Sequence, residues 1–151
     1  MAESRKRRHG WFHQHSLTLL SGGILTLWIC LYIVSSPSTH VGSFFGNAIA
    51  DWSGVVVMLL ATKYLYEKGS AESRRLPKST LRPALEFLRD HSLSIFLIIT
   101  GIGWTLLFVR MDAGSRWGQV VGNVVSEWTQ IFGVVLMTKR FIERHSKESS
   151  R

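Results

Sequence analysis

Apolar residues along this chain gather into four long runs, at about 16–34, 44–62, 93–109 and 118–138, with short polar stretches between them. Each run approaches the roughly 20 residues a helix needs to cross the hydrocarbon of a bilayer. The first and third contain no acidic or basic residue, and the second and fourth contain one carboxylate each. This pattern predicts an all-α integral membrane protein with four transmembrane helices. Between the second and third runs, Leu81, Leu85 and Leu88 recur at helical spacing, with Arg82, Glu86 and Arg89 off that face. A short interfacial helix, started by Thr80 or Arg82 ahead of Pro83, is expected there.

The apolar pattern occurs twice. Residues 15–70 align with 91–146 without a gap, pairing His15 with His91, Ser16 with Ser92, Trp28 with Trp104 and Gly42 with Gly118. Further along, Gly46-Asn47 pairs with Gly122-Asn123, Trp52 with Trp128, Thr62-Lys63 with Thr138-Lys139 and Glu67 with Glu143. The expected unit is a two-helix hairpin present in two parallel-oriented copies, since an even number of spans returns the chain to the same side. A pseudo-two-fold axis along the membrane normal should relate them. The layout read from this is a basic N-terminus (1–15), hairpin repeat 1 (16–66), a basic linker (67–90), hairpin repeat 2 (91–142) and a tail (143–151). Small residues Gly42, Gly46, Ala50 and Gly54, with Gly118, Gly122 and Ser126, form stripes that let helices approach closely. Spans 2 and 4 are therefore expected to be the tightly packed interior pair.

Charge adds orientation. The chain carries 18 Lys and Arg against 10 Asp and Glu, a net +8, yet its mean hydropathy is +0.13. Four of the basic residues precede span 1, seven lie between spans 2 and 3 and five follow span 4; only Arg110 and Arg116 lie on the opposite side. The positive-inside bias then places both termini in the cytoplasm. The basic segments are expected to meet anionic lipid headgroups, and orientation accounts for them without nucleic acid. The first apolar run has a twin in mid-chain, so it reads as a mature span and not a cleaved leader. Trp11 and Phe12 should then sit at the interface.

The candidate chemistry lies in the repeated segment, where Asn47 and Asp51 in span 2 match Asn123 and Glu127 in span 4. Four residues apart on a helix, amide and carboxylate share one face. Asp51 lies seven residues into its run, roughly 10 Å below the outer surface. A charge there costs about 2.5–3.5 kcal/mol at mid-membrane, somewhat less nearer the interface. The functional reading is a proton or cation site, with the two Asn as neutral ligands. Two other readings stand beside it: a clasp in which each carboxyl hydrogen-bonds the facing Asn, Ser53, Thr129 or Gln130, and a shallow solvated position. Trp52 and Trp128 follow the carboxylates, and their supporting role is either packing or shielding. Thr62 falls on the face of Asp51 near the cytoplasmic end, and Thr138 is its counterpart. Four short helices shelter two carboxylates poorly, so a homodimer is expected.

Other chemistry finds no footing. Cys30 stands alone, all six His lie at or beyond the ends of the runs, where they cannot face one another across a haem, and no hydrolytic or nucleotide-binding motif is present. No enzyme and no cofactor is expected. At Asp51-Trp52 and at Lys68-Gly69-Ser70-Ala71-Glu72-Ser73 the chain resembles an uncharacterised family of small bacterial four-helix membrane proteins with a Trp-rich acidic span and a Gly-Ser-Ala-Glu-Ser tail. The resemblance covers chiefly residues 50–74. It implies a bacterial inner membrane and four helices, and carries no assigned chemistry.

Overall fold

The computed structural model describes Phe12 and residues 15–74 and 81–141. The basic run Arg5–Arg8, Trp11, Thr80 and the tail with Glu143 lie outside the described residues. Five helices follow: α1 Ser16–Val34, α2 His40–Tyr64, α3 Pro83–Asp90, α4 Ser92–Arg110 and α5 Arg116–Arg140. All but α3 are long and apolar enough to cross a membrane. The corresponding bounds differ by 76 residues throughout, so α1 and α4 have 19 residues each and α2 and α5 have 25.

The loops at one end repeat as closely as the helices. Thr39 caps α2 by accepting the Gly42 amide at 3.1 Å, and Ser115 caps α5 by accepting the Gly118 amide at 3.0 Å. Each capping hydroxyl donates back across a tight turn, to Ser36 O at 2.7 Å and to Asp112 O at 2.6 Å. A hydroxyl before the first turn satisfies an amide that the helix itself leaves open. The turn folds so closely over the third helical residue that only hydrogen fits there, as both glycines supply.

Helices α2 and α5 are the inner pair; α1 packs on α2, and α4 on α5. The core between them holds Tyr32, Ile49, Ala50, Leu97, Val124 and Trp128. The small-residue stripe divides its work. Gly42 and Gly118 serve the turns, Gly46 and Gly122 receive the rings of Tyr32 and Phe108 from the outer helices, and Gly54 takes Glu127 and Ile131 of α5.

Asn47 and Asn123 meet as counterparts, but the rest of the two inner faces does not match, so the pair departs from the expected two-fold relation. On α2 the residues buried toward α5 include Ala50 and Gly54, whereas their counterparts Ser126 and Gln130 are exposed. On α5 Val120 is buried, whereas its counterpart Phe44 is exposed.

At the other end, residues 65–74 and the start of α4 form a knot. The Leu93 amide donates to Tyr66 O at 2.9 Å and the Lys68 amide to Asp90 O at 2.7 Å. Ser92 is not the cap of α4, because His91 occupies that position; its hydroxyl accepts the Tyr66 amide and donates to Arg89 O. Arg82 precedes Pro83 at the start of α3, as expected, and Leu81, Leu85, Phe87 and Leu88 are all exposed.

Candidate functional site

Asn47, Asp51, Asn123 and Glu127 line a single cleft of about 300 Å³ between α2 and α5, completed by Ser126 and Gln130. The four residues paired in the sequence are thus neighbours in space. Asn123 donates its amide to Asn47 Oδ1 at 2.5 Å, across the inner helix pair. One turn further along, the Glu127 side chain lies over the backbone of Gly54, where a Cβ would stand 2.6 Å from its Oε1. A larger residue at 54 would take the space this carboxylate occupies.

Among the described residues, neither Asp51 nor Glu127 makes a hydrogen bond or an ion pair; of the groups expected to clasp them, Gln130 lines the cleft without bonding either acid and the others are engaged elsewhere. Ser53 donates to Ile49 O at 2.6 Å, Thr129 to Ser126 O at 2.6 Å, and the two Asn bond each other. The cleft opens at the bundle surface, with Asn47, Asp51, Ser126 and Gln130 exposed.

The four supporting residues lie apart from this cleft. Trp128 is 5% exposed, stacks edge-on with Trp104 at 5.8 Å and donates its indole N–H to Thr100 Oγ1 at 2.9 Å. It fastens α5 to α4 and does not screen the carboxylates. Trp52 is half-buried. Thr62 donates to Met58 O within its own helix, and Thr138 bonds both Val134 O and the Ser70 hydroxyl.

The densest polar cluster was not singled out from the sequence. Glu67, 2% exposed, is held by Lys139 Nζ at 2.5 Å and His91 Nδ1 at 2.7 Å on Oε1, with the Ser94 amide donating to Oε2 at 3.1 Å. Burial pushes this carboxyl up, but the bonds from Lys139, Ser94 and His91 outweigh it and hold the group below the ordinary carboxylate range. Asp90 is held low chiefly by Arg89, with Lys68 adding to it. The one signal for Glu67 was its repeat match with Glu143, beside the matches His15/His91 and Lys63/Lys139. Its three partners come from distant parts of the chain, so spacing could not assemble them.

Arg116 is the second residue whose role lay hidden. Its guanidinium bonds Ile33 O at 2.8 Å and Ser35 O at 2.7 Å, and the Tyr32 hydroxyl returns a bond to Arg116 O at 2.7 Å. A cation on the open carbonyls of a helix C-terminus is favourable by charge and by hydrogen bonding. Arg116 thus ties α1 to the start of α5.

No group of three or more His, Cys, Asp or Glu among the described residues could hold a metal ion. No protein-family model, curated protein or solved structure matches this chain, so the reading of the site rests on its own geometry.

Proposed function

We propose that this is a small multi-pass membrane protein of two duplicated hairpins that handles a proton or a cation at Asp51 and Glu127. The observation that carries the reading is the cleft, where both carboxylates and both asparagines converge and, among the described residues, no hydrogen-bond partner is spent on either acid. Carboxylates inside membranes are rare and costly, and they characteristically mark ion, substrate or proton paths. Amide oxygens beside them offer neutral ligands to a partly dehydrated cation. In this reading both termini face the cytoplasm of a bacterial inner membrane, and the residues named catalyse no reaction.

Proteoliposome flux tests it. D51N and E127Q keep the shape of each side chain and remove its charge and proton. Each is expected to reduce proton- or cation-driven flux at least tenfold while leaving the melting temperature unchanged or raised. Full flux in both amide variants, or none in the wild type under any gradient, would sink the proposal. Orientation is checked separately by cysteine tags, with S38C and G114C expected to label from outside and S73C from inside.

A structural or regulatory role, in which the protein binds a partner, is the second reading. The Asn47–Asn123 bond favours it, since this pair alone can clasp α2 to α5. On that reading D51N and E127Q change neither activity nor partner binding.

A further inference from the structure

We infer that the open end of the first hairpin binds the phosphodiester of an anionic phospholipid. A second cleft, of about 330 Å³, lies there. Leu17 and Thr18 line it from the start of α1, and Leu59, Thr62 and Lys63 from the end of α2. Glu72 and Arg74 close it from the segment that follows. The site needs the chain to span a bilayer, but no ion to cross it.

The repeat shows which chemistry suits this place. His15 and Lys63 are the counterparts of His91 and Lys139. In the second hairpin both side chains converge on one carboxylate oxygen, Glu67 Oε1, from Nδ1 at 2.7 Å and from Nζ at 2.5 Å. In the first hairpin the same two atoms bond each other at 3.0 Å. No carboxylate among the described residues pairs with Lys63, which is half-buried. Its ammonium has three N–H groups and spends one of them on His15 Nδ1. An oxyanion arriving from outside would take the place that Glu67 fills in the other copy.

Charge and polarity along the cleft select the oxyanion. Arg74 adds a second cation, and a guanidinium beside an ammonium suits phosphate oxygens. Among the described residues the Arg74 guanidinium and the Thr18 hydroxyl remain open donors, whereas the Thr62 hydroxyl is committed to Met58 O. Glu72 is the one lining group that opposes an anion, and it forms no ion pair with Lys63 or Arg74. Two cations and one carboxylate leave a single positive charge to neutralise. A phosphodiester matches it, whereas a phosphate monoester carries nearly twice that charge. A zwitterionic headgroup brings no net charge and leaves the excess cation uncompensated.

Position separates a lipid from a free phosphate. Lys63 stands in the last turn of a helix long enough to cross a membrane, where Lys side chains reach headgroup level. Leu59 lies one turn farther into α2, and Leu17 is exposed at the start of α1. Acyl chains below the phosphate would cover these leucines, and a free ion would not.

Thermal unfolding in a neutral detergent reads the site, because a ligand held only by the folded chain raises its melting temperature with concentration. The probe is phosphatidylglycerol titrated into the micelles. Phosphatidylcholine, glycerophosphoglycerol (the same headgroup without acyl chains) and inorganic phosphate run in parallel. Wild type is expected to respond to phosphatidylglycerol alone. K63Q and R74Q should each move the half-point to roughly tenfold more lipid, the loss of one charge-assisted hydrogen bond. R110Q removes the same charge at the opposite end of the bundle and should respond as wild type does. Each variant is compared with its own lipid-free melting temperature, and R74Q alters an exposed side chain, so it serves where K63Q fails to fold. An equal rise with phosphatidylcholine, or with either chain-free anion, overturns the site. So does a K63Q or R74Q protein that responds as wild type does. Wild type indifferent to lipid but destabilised by E143Q would give the place to the tail's counterpart of Glu67, and overturns it too.

Discussion

E67A is expected to lower stability by about 3–5 kcal/mol, the loss that follows removal of one partner from a buried ion pair. The Lys139 ammonium, with its side chain 24% exposed, then loses the oxygen that holds it at 2.5 Å, and the Ser94 amide loses its acceptor. The segment 65–74 is anchored by the same carboxylate, so the ends of α2, α4 and α5 loosen together. E67Q keeps the shape and one acceptor oxygen, and should cost less. Thermal unfolding of the detergent-solubilised protein measures both. The pH dependence has a definite sign. Because the folded-state pKa of Glu67 lies below its unfolded value, its stabilisation is present above about pH 4.5 and is lost as the pH falls through the folded pKa. Wild type should therefore melt progressively lower on the acid side, and E67Q should flatten this contribution. An E67A protein that melts within a degree of wild type contradicts the cluster's role.

G42A and G118A are expected to cost about 1–3 kcal/mol each, in the range of overpacked sites. A Cβ at 42 would stand 2.0 Å from Ser36 O, and one at 118 would stand 2.1 Å from Asp112 O. Backbone oxygens in a tight turn cannot swing aside as side chains do, so the turn and its capping hydrogen bond must give way. G22A and G23A in α1 are the contrast, since nothing lies within 4 Å of a Cβ at either position. There the change should be neutral or stabilising by about 0.5–1 kcal/mol through helix propensity. Equal behaviour of all four variants in thermal unfolding would remove the turn explanation.

These glycines mark the border between what was legible and what was not. The four long helices could be read from the sequence because a run of apolar residues about as long as a bilayer is thick needs no tertiary partner to define it. The 76-residue correspondence was legible as well, and with it the pairing of Asn47 with Asn123 and Asp51 with Glu127. Helical spacing put amide and carboxylate on one face, and that is a local property. Which way this face points was decided only by packing. Tyr32, Phe108, Trp104 and Trp128 fasten the outer helices to one side of α2 and α5, which leaves the polar side for the cleft. The same packing turned Trp128 away from the carboxylates and assigned Gly42 and Gly118 to turns, although the stripe spacing pointed to helix contacts. Glu67 and Arg116 were beyond sequence reading for one physical reason. Their partners lie 24 to 84 residues away along the chain, and a hydrogen bond between distant residues leaves no periodic trace. The inequivalence of the two inner faces is likewise tertiary, since two helices with matching polar residues can pack through equivalent or different faces, and only the arrangement of α2 against α5 chose between them.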